Sequence, residues 1–426
     1  MVPLPKSLKR ALSKIGPGFI TGAADDDPSG VATYSQTGAI FGYSQLWLVW
    51  FSSPFMIVIQ QMCGRIGLVT GKGLAGVILE HYSKPVLYAA VALLVAANTI
   101  NIGADLSAMA SSAQLLVGLP FVFWLVVMTV FVTALEVFVP YRAYAKVLKY
   151  LAMTLFAYVV TAFIVGLDWR TVALNTVIPH IQVSTDYLLN IVAILGTTIS
   201  PYLFFWQASE EVEEEVMYGR IPDMGEGTPV VDEQDVADMR ADTFGGMLYS
   251  QLIMFFIIIT TAATLHLSGV GTIETASQAA EALRPLAGDL AYVLFAAGII
   301  GTGLLAVPVL AGSSAYAVAE TTGWREGLSK RARAAPGFYL VIAASTLVGM
   351  SLGWLGIDPI RALYYAAALN GLAAPPLMAL VITIANRSDV MGPFVNSRAS
   401  NVLGWTIVLV MAVAGIALLL NLATGL

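Results

Sequence analysis

Residues 16–39 read GPGFITGAADDDPSGVATYSQTGA, and residues 194–211 read ILGTTISPYLFFWQASEE. Each stretch pairs a short oxygen-bearing side chain with a following proline: Asp27-Pro28 and Ser200-Pro201. Proline removes a backbone donor and clashes with the preceding helical turn. It also pushes its predecessor out of the helical region, and Gly30 adds freedom after the first break. Both stretches therefore predict a helix that loses its winding part-way along.

The surrounding chain says what medium these helices cross. Of 426 residues, 58% are hydrophobic and 11% charged. Soluble domains run at roughly 45–50% and 25%. The apolar residues fall in blocks of about 20, the length that spans a hydrocarbon core. The pattern predicts an all-α membrane protein with eleven spans. They lie near 15–40, 45–68, 85–112, 120–139, 146–167, 186–216, 243–266, 287–318, 336–354, 359–384 and 401–424. The first and sixth are the interrupted ones.

Alternating the sides from a cytoplasmic N-terminus puts all but Arg170, Arg284 and Arg361 of the 21 Lys and Arg inside. The positive-inside rule thus predicts the N-terminus in the cytoplasm of a plasma-membrane protein and the C-terminus outside. Lys6, Lys9, Arg10 and Lys14 precede an apolar stretch that runs into Asp25-Asp26-Asp27 without a cleavage-site pattern. Residues 1–14 are therefore expected to be a cytoplasmic tail rather than a signal peptide.

Five spans separate one break from the other. An odd number inverts the second copy, so the arrangement predicts two inverted five-helix repeats of the LeuT-like kind, with helices 1 and 6 unwound at the midplane. The repeats would run about 15–167 and 186–384, with helix 401–424 as an addition, all in one transmembrane domain over 15–426.

Unpaired backbone groups are tolerated at membrane depth only where they line a cavity or are buried in protein. A proline kink alone needs no ligand. An ionisable residue inside a membrane is costly and by default functional, and Asp25, Asp26 and Asp27 stand in a row at the first break. The pair of breaks therefore predicts a cation site. Carboxylate, hydroxyl and backbone carbonyl oxygens suit hard cations. No Met, Cys or His lies at either break, and His81, His180 and His266 fall near helix ends or in loops. Mg²⁺ keeps several waters and takes few protein ligands, so Mg²⁺ leads and Mn²⁺ follows. Both would be cargo, and no cofactor is expected. The net charge of −6 gives no support for a nucleic-acid partner. No protein partner is evident, and the lone Cys63 excludes an intrachain disulfide.

The string GPGFITGAADDDPSGVATYSQTGAIFGYSQLW resembles the first helix of the NRAMP divalent-metal transporters. That family shows G-P-x-F-I, an Asp-Pro-Gly-Asn motif, A-T, Q-x-G-A and G-Y-x-L-W. INIGADLSAM resembles its helix 3, and NRSDVMG at 386–392 the end of its helix 10. The resemblance implies that Asp27 is the charged ligand, with carbonyls from Ala24 and Thr197. Ser200 would contact the ion, and Asn370 would replace a family glutamine in span 10. Asp26, Gly30 and Tyr202 would stand just behind them.

The departures are as informative. The motif asparagine is Gly30 here. The helix 6 pattern Ala-x-x-Met-Pro-His falls on Thr197 to Tyr202, so the metal-selecting methionine is Ser200 and the histidine is Tyr202. The helix 3 aspartate is kept as Asp105, but the glutamate three residues on is Ala108. This combination is similar to the NRAMP-related magnesium transporter branch and implies Mg²⁺ and Mn²⁺ transport without proton coupling. The alternatives are a proton-coupled Mn²⁺/Fe²⁺ transporter and an amino-acid symporter of like architecture. Three aspartates would repel the carboxylate of the latter's substrate. No HExxH motif or nucleophile elbow points to an enzyme.

Three further expectations concern polar residues away from the breaks. Segment 208–242 holds twelve of the 27 acidic residues and reads as a solvated connector, its PDMGEGTPVVDEQD part mobile. A second reading has its glutamates drawing cations to the inner mouth. Asp105 reads as a buried aspartate bonded to hydroxyls such as Ser107, with a remnant proton relay as the second reading, and Glu136 is expected to pair with Tyr141 and Arg142. Trp206 and Gln207 line a vestibule or pack, and the glycines of span 8 point to close helix contact.

Overall fold

The computed structural model describes residues 16–139, 153–182 and 184–424. The expected N-tail, residues 146–152 of the fifth span, and Tyr141 and Arg142 lie outside them. The described chain is almost wholly helical. In order, α1 is Pro17–Asp25, α2 Pro28–Phe41, α3 Trp47–Thr70, α4 Leu74–His81, α5 Lys84–Val117, α6 Phe121–Phe138, α7 Phe156–Ile164 and α8 Trp169–Val177. Then come α9 Thr185–Thr198, α10 Pro201–Met217, α11 Glu233–Thr261, α12 Ala291–Thr322, α13 Pro336–Leu352, α14 Pro359–Ala385 and α15 Arg398–Thr424.

Local chemistry explains many of the boundaries. Proline sits in the first turn of α1, α2, α5, α10, α13 and α14, where its missing N–H costs nothing. Asp232 forms a capping box with Asp235 at the start of α11. Gly71, Gly118 and Gly323 close α3, α5 and α12 in the left-handed conformation. Pro54, Pro308, Pro375 and Pro376 sit inside helices, as membrane spans tolerate.

Among the described residues, eight helical segments are long and apolar enough to cross a membrane, or ten if each bent pair is one span. The expected eleven also counts 15–40, whose halves are nine and 14 residues long. Two lateral helices escaped the hydropathy reading. α4 turns 70° away from α3, and α8 turns 118° away from the segment ending in α7.

The broken helices sit at the centre. α1 packs on α11, and α2 touches α11, α14 and α9. α9 lies along α14, while α10 lies against α3 and α12. α5 runs beside α12, α13 and α14. Exposed apolar side chains such as Phe131, Phe163 and Leu409 lie on outer helices, where lipid replaces a protein partner.

The connector 208–242 is corrected. α10 continues to Met217 and α11 begins at Glu233, so only 218–232 lies between them. Glu210, Glu211, Glu213 and Glu215 are buried rather than solvated. α10 packs on two neighbours, and polar partners come from α10 itself, from the segment after it and from α12. Gln207 donates to Glu211 at 2.8 Å, Tyr316 of α12 donates to Glu213 at 2.9 Å, and Arg220 pairs with Glu215. Those contacts hold Glu211, Glu213 and Glu215. Trp206 packs edge-on against Tyr316, and its ring fills the space a Cβ at Gly312 of α12 would need.

Candidate metal site

The first break is built by Asp27 itself. It caps α2, accepting from Gly30 N at 2.7 Å and from the Ser29 hydroxyl at 2.6 Å, both on Oδ1. Asp26 has left the helical conformation at the end of α1. At the second break, Ile199 ends α9 and Ser200 adopts an extended backbone before Pro201 opens α10. Both windings therefore stop immediately before the proline, as steric exclusion requires.

The two breaks meet. Ser29 Oγ lies 3.3 Å from Thr197 Oγ1, so a chain of oxygens runs from Asp27 through Ser29 to the turn that carries Ser200. Tyr202, the second residue of α10, donates its hydroxyl to the Ala24 carbonyl at 3.1 Å. Gly30 sits between the breaks. A Cβ there would meet the Asp25 carbonyl oxygen at 3.2 Å, the Tyr34 ring at 3.3 Å and Thr197 Oγ1 at 3.4 Å. Asp27, Thr197, Ser200 and Ala24 are each about 1% exposed, so the site is closed to both sides.

Ser200 Oγ donates toward the carbonyls of Gly196 at 2.6 Å and Thr197 at 2.8 Å. That uses its one proton and leaves the oxygen's lone pairs as acceptors. Asn370 lies in α14 beside the second break. A Cβ on Gly196 would fall 2.1 Å from the Ala367 carbonyl oxygen and 2.3 Å from Gly371 N. The backbones of α9 and α14 thus touch within one turn of Ser200. Asn370 is buried, and neither polar atom of its side chain has a partner among the described residues.

Two residues escaped the sequence reading. Asn101 of α5 donates to Asp27 Oδ2 at 3.0 Å and reaches Asp105 Oδ2 at 3.4 Å. The signal was present: Asn101 and Asp105 are four residues apart, on one helix face. Ser250 of α11 lies 2.5 Å from Asp25 Oδ2 and 3.2 Å from Asp26 Oδ1, so these two carboxylates turn toward α11. No pattern in residues 243–266 marked it.

Asp105 is corrected in detail. Ser107 bonds to the Gly103 carbonyl, so Asn101, not Ser107, is the neighbour of Asp105. Glu136 is buried, with no partner for either oxygen among the described residues.

Asp25, Asp26, Asp27 and Asp105 are all buried, and none forms an ion pair among the described residues. Also among them, no group of three or more His, Cys, Asp or Glu side chains is arranged to hold a metal ion. A cation at the breaks would rest on one carboxylate with neutral oxygens around it.

The family model described as natural resistance-associated macrophage protein-like, Nramp, matches residues 18–421. The chain belongs to the Nramp family. By family it is a transporter of divalent metal cations and not an enzyme, and the metal is cargo rather than cofactor. It is 28% identical to the divalent metal cation transporter MntH of Deinococcus radiodurans, over 96% of this chain and 90% of that protein. Its fold is similar to that of the Eremococcus coleocola manganese transporter, with a TM-score of 0.74 at 18% identity. That match covers 99% of this chain and 89% of the other. MhsT in complex with L-phenylalanine has the same kind of fold, with a TM-score of 0.62 at 13% identity over 95% and 98% of the two chains. These likenesses place the Nramp chain in the LeuT-like fold class, with its broken helices at the centre.

Proposed function

We propose that this Nramp chain carries hard divalent cations, Mg²⁺ foremost and Mn²⁺ with it, into the cell without an accompanying proton. The observation that supports this reading is the oxygen-only junction of the two breaks, where Asp27, Ser29 and Thr197 form one chain. Asp27 supplies the charge. The Ala24 and Thr197 carbonyls, the Thr197 and Ser200 hydroxyls and the Asn370 amide oxygen supply neutral ligands. Asp26 adds negative potential behind them, Gly30 keeps the space between the breaks free of a side chain, and Tyr202 holds the Ala24 carbonyl.

Selectivity follows from what the site lacks. A thioether would favour softer transition metals, and Ser200 offers an oxygen instead. Small neighbours leave room for the waters that Mg²⁺ gives up reluctantly. These features are those of the magnesium-transporting branch of the family. A proton path is also thinned: Tyr202 stands where an imidazole would titrate near neutral pH, and Ala108 follows Asp105 without a second carboxylate. The membrane potential then drives uptake. It is worth about 4.6 kcal/mol for a double charge at 100 mV, twice the single-charge value.

The same reading sets the chain in the plasma membrane with its N-terminus inside. Its inverted repeats run over about 15–167 and 186–384, and 401–424 lies outside them. The test is uptake of Mg²⁺, Mn²⁺ and Ca²⁺ into liposomes with a pH dye enclosed. Uptake of Mg²⁺ and Mn²⁺ without acidification is expected, and Asp27→Ala should abolish it. Intact uptake by Asp27→Ala would sink the proposal. Acidification in step with Mn²⁺ entry would point instead to a proton-coupled transporter.

A further inference from the structure

Away from the breaks, Arg65 of α3 is 2% exposed, yet no carboxylate pairs with it among the described residues. Its Nη2 donates to Asn396 Oδ1, while its Nε finds no acceptor. Arg65 lines a cavity of about 210 Å³ together with Val58, Gln61, Met62, Arg240, Ser397 and Ser400. No acidic residue contributes to its wall. The other charged side chain on the cavity wall is also a cation, Arg240 of α11.

This arrangement is expensive on its own terms. A buried charge needs a partner or hydrogen bonds to all its donors. Two guanidinium groups on one cavity also repel each other. The rest of the wall adds to the positive potential. Ser397 and Ser400 carry hydroxyl donors, and their hydroxyls lie 2.9 Å apart at the start of α15. That helix runs 27 residues from Arg398, with its positive dipole end at the cavity. Gln61 holds the Arg240 carbonyl at 3.1 Å, which fixes α11 against α3 at this point.

We propose that this cavity, framed by α3, α11 and the start of α15, binds a phosphate group. Arginine forks match phosphate oxygens two at a time, serine hydroxyls and helix amides complete such a site, and the volume admits one tetrahedral anion. The group can belong to an anionic phospholipid headgroup or to free phosphate. Val58 and Met62 form an apolar wall, and Val402 and Trp405 are exposed on α15 beyond the cavity, in line with a lipid source. Filling the cavity would tie α15 to the helix pair α3 and α11, independently of what the central site carries.

The purified full chain in nanodiscs tests this. One arm compares phosphatidylglycerol with phosphatidylcholine bilayers, reading retained lipid by native mass spectrometry and the unfolding temperature. The other titrates inorganic phosphate against chloride at constant ionic strength. A gain in unfolding temperature in either arm is expected. Retained phosphatidylglycerol identifies a lipid headgroup, and an effect of phosphate alone identifies the free ion. Losing one charge-assisted contact should weaken binding about tenfold. Arg240→Gln, at an exposed position, and Arg65→Gln should both show that loss. If Arg65→Gln fails to fold, Arg240→Gln alone decides. No response in either arm, or an equal response in Arg240→Gln, would overturn the proposal.

Discussion

Asn101 donates its side-chain amide to Asp27 Oδ2 at 3.0 Å, from a helix that belongs to neither break. The carboxylate is thus held from two sides, by the α2 N-terminus on Oδ1 and by α5 on Oδ2. A hydrogen bond to a charged group contributes about 1.5–3 kcal/mol. Asn101→Ala should therefore raise the apparent KM for Mg²⁺ about tenfold or more, each 1.4 kcal/mol being a factor of ten. Concentration-dependent uptake into liposomes measures it. An unchanged KM would mean that Asp27 is positioned without α5.

Ser200 bears on selectivity. Replacing its oxygen with a thioether should raise Mn²⁺ and Cd²⁺ uptake relative to Mg²⁺ in Ser200→Met, because soft ligands favour softer ions. Competition between Mg²⁺ and Mn²⁺ reads the ratio directly. A ratio equal to that of the parent chain would remove Ser200 from the ligand set.

Gly196 bears on assembly. Its missing Cβ lets the α9 backbone approach Ala367 and Gly371 of α14; a Cβ there would fall 2.1 and 2.3 Å from backbone atoms that have no freedom to yield. Gly196→Ala should destabilise the protein by about 2 kcal/mol or more, within the range for overpacked sites. It should also draw Asn370 away from Ser200. A thermal shift assay in detergent detects the first effect and the KM for Mg²⁺ the second. An unfolding temperature equal to that of the parent chain would mean the helices do not touch here.

Glu326 makes stability depend on pH. It lies in the segment between α12 and α13, and burial holds its carboxyl well above the ordinary value of 4.5, with the Glu320 charge adding to the shift. Lys330 opposes this, while Glu213 and Asp223 reinforce it. A raised folded-state value means the folded form keeps its proton where the unfolded form has lost it. The stabilisation is complete below pH 4.5 and fades as pH rises through the raised value. Glu326→Gln should flatten the fall of the unfolding temperature above pH 4.5. An identical pH profile in the variant would show that Glu326 is ionised in the fold at no cost.

The chain order of residues determined the class, the two breaks and the charged ligand candidate. Length, apolarity and the Asp27-Pro28 and Ser200-Pro201 pairs act locally, through sterics and hydrophobic length, so they are legible one segment at a time. The helix bounds at 25–28 and 198–201 agree with that reading. Which residues face which is a different kind of fact. Asn101 meets Asp27 across 74 positions and Ser29 meets Thr197 across 168, and no local preference encodes either distance. Glu213 of α10 read as part of a solvated run because its partner, Tyr316, comes from 103 positions away on another helix. Ser250 and the Arg65–Arg240 cavity depend in the same way on how α11 lies against α1 and α3. Steric rules act within a turn of helix and can be read from neighbours in sequence. Hydrogen bonds and fields between helices depend on packing, which only the folded chain fixes.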